Sequence, residues 1–291
     1  MTVLVFLNEV AGGRKLLGAV TERVASGATG VAIVAPQNQP MAGQIVDREE
    51  LADAARSRVD VTQQVFADFG IEAEAAVMDT DPLLALDDAI RAYEPSEVLI
   101  SCLIESRYGF MRRDLVEWAR GHFETPITHI PVRIDDDAVR WDVTHTLVVA
   151  TQTVASADLV GRLKSRAQAK PHRYTFICPR SGQLTREEVC ERLARTLAEM
   201  YRSEIDATGQ PMSPAPFAAV QNAIEHYRVD EILISTLAGE QSVWLEEGLI
   251  DRVQSITDKP VEHVEAGSDV PTGAGPDAPV AVGADGSGDR R

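Results

Sequence analysis

No run of apolar residues comes near the ~20 that a membrane-spanning helix needs, so no segment reads as crossing a bilayer. Positive charge is scarce. The chain has 28 Lys and Arg against 45 Asp and Glu, a net charge of −17. A nucleic-acid or anionic-membrane partner needs a basic footprint, so neither is expected. Cysteine is rare and odd in number. Cys102, Cys178 and Cys190 lie far apart, which suits buried thiols in a reducing cytoplasm rather than a disulfide framework. The opening Met1-Thr2-Val3-Leu4-Val5-Phe6-Leu7-Asn8-Glu9 has no basic leader and turns acidic at once. It is expected to be a first strand, not a signal peptide, and the expected location is the cytoplasm.

Catalytic signatures are missing too. There is no G-x-x-x-x-G-K-[ST] run for a P-loop. Ala11-Gly12-Gly13 does not supply the G-x-G-x-x-G of a dinucleotide-binding turn, and no HIGH-like or SGG-x-DS-like run follows an early strand. No Gly-x-Ser-x-Gly elbow surrounds Ser101 or Ser235. His129 and His263 have no second His, Cys or carboxylate nearby at ligand spacing. No catalytic residue and no metal site are therefore assigned, and the chain is not expected to be an enzyme.

What is present is a repeat. Sliding the sequence by 134 positions lays Ile205–Val264 on Ile71–Ile130 without a gap. Pro82 meets Pro216, Tyr93 meets Tyr227, Leu99-Ile100-Ser101 meets Leu233-Ile234-Ser235, Pro126 meets Pro260, and His129 meets His263. Upstream elements match at an offset of 143. Most matches are apolar or turn-forming, so they are core and punctuation. A repeat of this length is a duplicated domain rather than a solenoid unit.

Along each copy, apolar strand runs alternate with segments of helical periodicity. Asp81-Pro82 and Asp114 mark helix starts, Asp47 with Glu50 and Thr185 with Glu188 read as capping boxes, and Gly70 reads as a helix stop. Ile71–Met78 is expected as the third strand of the first copy. Ile205–Met212 is expected as a weak edge strand of the second, interrupted by Gly209 and Pro211. The expected fold class is α/β: two tandem Rossmann-like (adenine nucleotide alpha hydrolase-like) domains, each a five-stranded, mainly parallel sheet with helices on both faces. Residues 1–134 form the first copy, 135–141 a linker around Asp135-Asp136-Asp137, and 142–266 the second copy. Residues 267–291, rich in Gly and Pro, are expected to be a disordered tail.

This architecture resembles the universal stress protein family in its tandem form. The resemblance implies an ATP site in many members, with an Asp ending the first strand. Their phosphate loop after the fourth strand reads G-x-x-G, nine residues, then G and Ser or Thr. Here the first strands end at Asn8 and at Thr151-Gln152, and each loop after the fourth strand has one glycine, Gly109 or Gly239. Glycines matter there because backbone N–H groups must approach phosphate unobstructed. The loops look closer to a divergent actinobacterial-type subgroup with S-T-x-P-P-x-x-S-x-W-L-x-x-D-L. Ser101, Arg112, Arg113, Asp114 and Leu115 fit it in the first copy, and Ser235, Thr236, Ser242, Trp244 and Leu245 in the second; both prolines are missing. ATP is the one cofactor the resemblance implies, and its motif is degenerate.

In an open parallel sheet a ligand lies beyond the carboxyl ends of the strands, where the order reverses. That rule gathers Asn8, Glu9, Ala35, Asp79, Ser101, Ser106, Arg107, Arg112 and Arg113 around the crevice of the first copy, with Ser235 at the matching place in the second. The three arginines either supply positive charge to an anion or form a solvated loop, and Asp79 reads better as a turn residue. Two functions remain open. One is a non-catalytic regulatory or interaction module with a protein partner. The alternative is a module binding a small nucleotide (ATP, ADP, cAMP) or another anion in the first crevice. The resemblance further implies pairing through the fifth strands. An intramolecular pseudo-dimer would then bury Ile127, Thr128, His129, Ile130, Val261, His263 and Val264 between the halves, without ruling out a homodimer through another surface.

Overall fold

The structure is a computed structural model that describes residues 1–8, 11–38, 48–102, 107–108, 113–131, 143–179, 184–212, 215–238 and 243–267. The expected linker, the tail beyond Gly267 and the Asp47 cap lie outside the described residues.

The first copy runs β1 (Thr2–Leu7), α1 (Arg14–Ala25), β2 (Gly30–Pro36), α2 (Arg48–Asp68), β3 (Glu74–Met78), α3 (Pro82–Tyr93) and β4 (Glu97–Cys102). A short pair, β5 (Arg107–Tyr108) and β6 (Arg113–Asp114), precedes α4 (Leu115–His122) and β7 (Ile127–Pro131). The second copy runs β8 (Thr144–Val149), α5 (Ala157–Ala169), β9 (His172–Pro179), α6 (Arg186–Arg202), β10 (Asp206–Met212) and α7 (Pro216–His226). It continues with β11 (Glu231–Leu237), α8 (Val243–Glu246), α9 (Leu249–Ile256) and β12 (Val261–Ala266). Two separate five-stranded sheets result, ordered β3-β2-β1-β4-β7 and β10-β9-β8-β11-β12, with every pairing in them parallel. Both orders reverse between the first and fourth strands of the copy.

Local chemistry explains the boundaries. Asp81 caps α3 by accepting from the Leu83 amide at 2.8 Å, with Pro82 at the first helical position. Asp114 caps α4 through the Glu117 amide, and Thr185 with Glu188 forms a complete capping box on α6. Ala215 leaves α7 without a side-chain cap. The helix α2 ends in a Schellman turn: Gly70, at φ +76°, donates to the Ala67 carbonyl and Ile71 donates to Phe66. That turn turns Ile71 inward and delays the third strand to Glu74, three residues later than the periodicity suggests. Gly209 does not interrupt β10. A Cβ there would stand 2.9 Å from the Phe176 Cβ, so glycine lets the strand lie close under its neighbours.

Each sheet is covered on both faces. One face of each, with α1, α2, α5 and α6, shares a core that runs on through both copies, from Leu7 and Phe66 to Leu193 and Leu197. The outer faces have their own cores, under α3 and α4 in the first copy and under α7 and α9 in the second.

Among the described residues the fifth strands do not pair with each other: β7 pairs with β4 and β12 with β11. The equivalent helices α2 and α6 pack together instead, and α2 also reaches β10. Arg186 pairs with Asp60 and Arg202 with Asp68 across this contact, and the buried Tyr201 hydroxyl donates to the Gly12 carbonyl at 3.0 Å. The reason is apolar area. The residues of β7 are all only half-buried, whereas α6 offers Val189, Leu193 and Leu197 in a continuous buried stripe.

Candidate functional site

The switch point of the first sheet lies where β1 ends. Asn8 is fully buried there, and its amide donates to the Ser101 carbonyl at 3.0 Å, tying the ends of β1 and β4 together. Its Oδ1 accepts from Asn38 Nδ2 at 3.1 Å. Arg58, also fully buried, reaches in from α2 and donates to the Pro36 carbonyl at 2.6 Å and to the Asn38 carbonyl and Oδ1 at 3.1 Å. The inner part of the crevice is thus occupied by the protein's own side chains. Sequence reasoning placed Asn8 and Ser101 here but missed Arg58, because a charged residue at a buried helical position breaks the apolar stripe that the periodicity search follows.

Of the other candidates, Ala35 is buried in β2. Asp79 is exposed and serves the turn before α3: it accepts from the Asp81 amide, which holds its carboxyl below the ordinary range. Arg107 faces Asp114 and Arg113 faces Tyr108 in the backbone pairing of β5 with β6. Glu9, Ser106 and Arg112 lie outside the described residues. Ser235, buried at the matching point of the second sheet, accepts from the Thr153 hydroxyl at 2.8 Å. Thr151 closes the same end through the Pro179 carbonyl at 2.6 Å.

The paired histidines act inside their own sheets. His129 Nε2 lies 3.2 Å from the Cys102 carbonyl and 3.5 Å from its sulfur, and His263 Nε2 lies 2.8 Å from the Thr236 hydroxyl. Both are struts between the fourth and fifth strands. Among the described residues no group of His, Cys, Asp or Glu could hold a metal ion, and none of the three cysteines forms a disulfide. Burial pushes the Cys190 thiol up to about 11.

A second concavity went unread. The carboxyl end of the first sheet faces the amino end of the second across a small, solvent-open cleft with room for about 50 Å³. Arg14 and Lys15 at the start of α1 line one side, and His145, Arg173, Asp206 and Tyr227 the other. His145 Nε2 stands 2.9 Å from the Thr175 hydroxyl. Its Nδ1 stands 3.0 Å from both the Arg173 guanidinium and the Arg228 carbonyl, so it has a partner in either tautomer. No motif marks such a place, since its residues sit at strand starts in one copy and strand ends in the other.

The fold and these two concavities define a class: a tandem α/β protein of two doubly wound, all-parallel, Rossmann-like domains. No family model and no curated protein sequence matches the chain. Among solved structures it is similar to a universal stress protein from Archaeoglobus fulgidus DSM 4304, at 16% identity over 91% of this chain and 97% of that one, with a TM-score of 0.35. It is also similar to MurG of Acinetobacter baumannii, at 12% identity over 89% and 85% of the two chains, with a TM-score of 0.22. No described helix is long and apolar enough to cross a membrane.

Proposed function

We propose that this chain is a non-catalytic regulatory or interaction module of the universal-stress-protein type, in tandem form, whose nucleotide-binding loop has degenerated. One observation carries the reading: the Asn8–Asn38–Arg58 network fills the end of the first sheet. An incoming base would have to displace a buried guanidinium from carbonyl partners, leaving polar groups unsatisfied at several kcal/mol. The hydroxyl contacts at Thr151, Thr153 and Ser235 support the same reading for the second copy. Cys102 stands beside His129 and Thr236 beside His263, but Cys102 and Thr236 are buried and both pairs read as contacts within their own sheets, so no ATPase or phosphotransfer step is assigned.

The test is a thermal-shift titration with ATP, ADP and cyclic AMP, using tripolyphosphate at equal concentration to measure any effect of charge alone. ATP is expected to raise the melting point no more than tripolyphosphate does, and ATP turnover to stay at background. An adenosine-dependent rise, or turnover that copurifies with the folded chain, would overturn the reading.

A further inference from the structure

We infer that the cavity between the starts of α7 and α9 is a binding site for a free apolar α-amino acid. The cavity has room for about 190 Å³, against about 50 Å³ in the cleft between the halves. Pockets for drug-sized ligands begin at ~300 Å³, so the occupant is small. Pro216, Phe217, Trp244 and Leu249 form the walls. Phe217 and Trp244 are half-buried and pack against the outer core of the second copy, leaving aromatic surface toward the cavity.

Two opposite charges line the same cavity, Glu247 and Arg252. They do not pair with each other, and neither side chain has a hydrogen-bond or ion-pair partner among the described residues. The Arg252 guanidinium lies 4.1 Å from the centre of the Phe217 ring, which holds it at the wall. The duplication shows what the site lacks. In the first copy Asp81 caps α3 by accepting from the Leu83 amide at 2.8 Å. The matching pair in the second copy is Ala215 and Phe217, and Ala215 gives α7 no side-chain cap. Ala215 also lines the cavity. A ligand carboxylate between Arg252 and the Phe217 amide would stand where the Asp81 carboxylate stands in the first copy. Glu247 suits an ammonium group, and the aromatic walls suit an apolar side chain. A simple anion would leave Glu247 unused, and a hydrocarbon would leave both charges unused. A zwitterion with an apolar body answers all three features.

Titration calorimetry of the full chain with L-phenylalanine tests this. Saturable binding is expected. Phenethylamine lacks the carboxylate and 3-phenylpropanoate lacks the ammonium; each is expected to bind about tenfold more weakly, the size of one lost charge-assisted hydrogen bond. Arg252→Met, at an exposed position, is expected to weaken L-phenylalanine binding by about the same factor. No saturable heat with the wild-type chain, equal affinity for 3-phenylpropanoate, or equal affinity in Arg252→Met overturns the inference. L-Phenylalanine carries no adenine, and Asn8, Thr151, Thr153 and Ser235 are not among the cavity's lining residues. The outcome is therefore independent of the filled sheet ends.

Discussion

Gly70 and Glu204 are the same residue of the two copies, 134 positions apart, and both end a helix in the left-handed conformation. Glu204, at φ +59°, donates to Tyr201 while Ile205 donates to Met200, the same Schellman pair made by Gly70 and Ile71. A side chain at positive φ costs about 1–2 kcal/mol that glycine does not. Glycine gives part of this back as greater freedom of the unfolded chain. Glu204→Gly is therefore expected to stabilise the second copy by roughly 0.5–1 kcal/mol, read from urea unfolding. A destabilised variant would mean that the Glu204 side chain makes a contact worth more than the strain.

At the scale of elements, the joint between the halves is made by α2 and α6. Cys190 faces α2, where Ser57 hydrogen-bonds its thiol and Asp60 lies close by. Placing a carboxylate there should either part the helices or force a buried charge, at several kcal/mol. Cys190→Glu is expected to make the joint cleavable by limited proteolysis at protease levels that leave the wild type intact. Thr128→Pro in β7, an edge strand that pairs with no strand of the other half among the described residues, is expected to leave that resistance and the hydrodynamic size unchanged. The reverse result, loosening by Thr128→Pro alone, would restore the fifth-strand pairing.

Over the whole molecule, one ion pair is duplicated. Arg23 engages Glu97 at 2.9 Å and Arg166 engages Glu231 at 3.2 Å, each pair joining the first helix of a copy to the start of its fourth strand. Threonine hydroxyls join both, Thr128 to Glu97 and Thr146 to Glu231, each at 2.7 Å. Hydrogen bonding from Arg23, then from Thr128, holds the Glu97 carboxyl below its ordinary range. A depressed folded-state value means stability that is present above the unfolded value, about 4.3, and lost as pH falls through the folded one. Glu97→Gln is therefore expected to lower the melting point at pH 7 and to converge with the wild type near pH 3. A constant gap at both pH values would show that the carboxylate's ionisation is not what the pair contributes.

The sequence by itself determined the elements, the duplication and the class of sheet. Caps at Asp81, Asp114 and Thr185, the alternation of strand and helix, and the match of Leu99–Ser101 with Leu233–Ser235 are local or periodic signals. Such signals are written in neighbouring residues, so they survive without coordinates. Only the tertiary structure decided the rest. It chose α2 against α6 over the fifth strands, because the choice rests on how much apolar area each face offers once folded. It drove Arg58 into the crevice at Asn8, and it brought the start of α1 and the start of β9 to one cleft. The ion pairs Arg23–Glu97 and Arg166–Glu231 were hidden because their two ends obey different offsets, 143 and 134. Contacts between residues far apart in the chain depend on packing geometry, and packing is a property of the assembled layers rather than of any stretch of sequence.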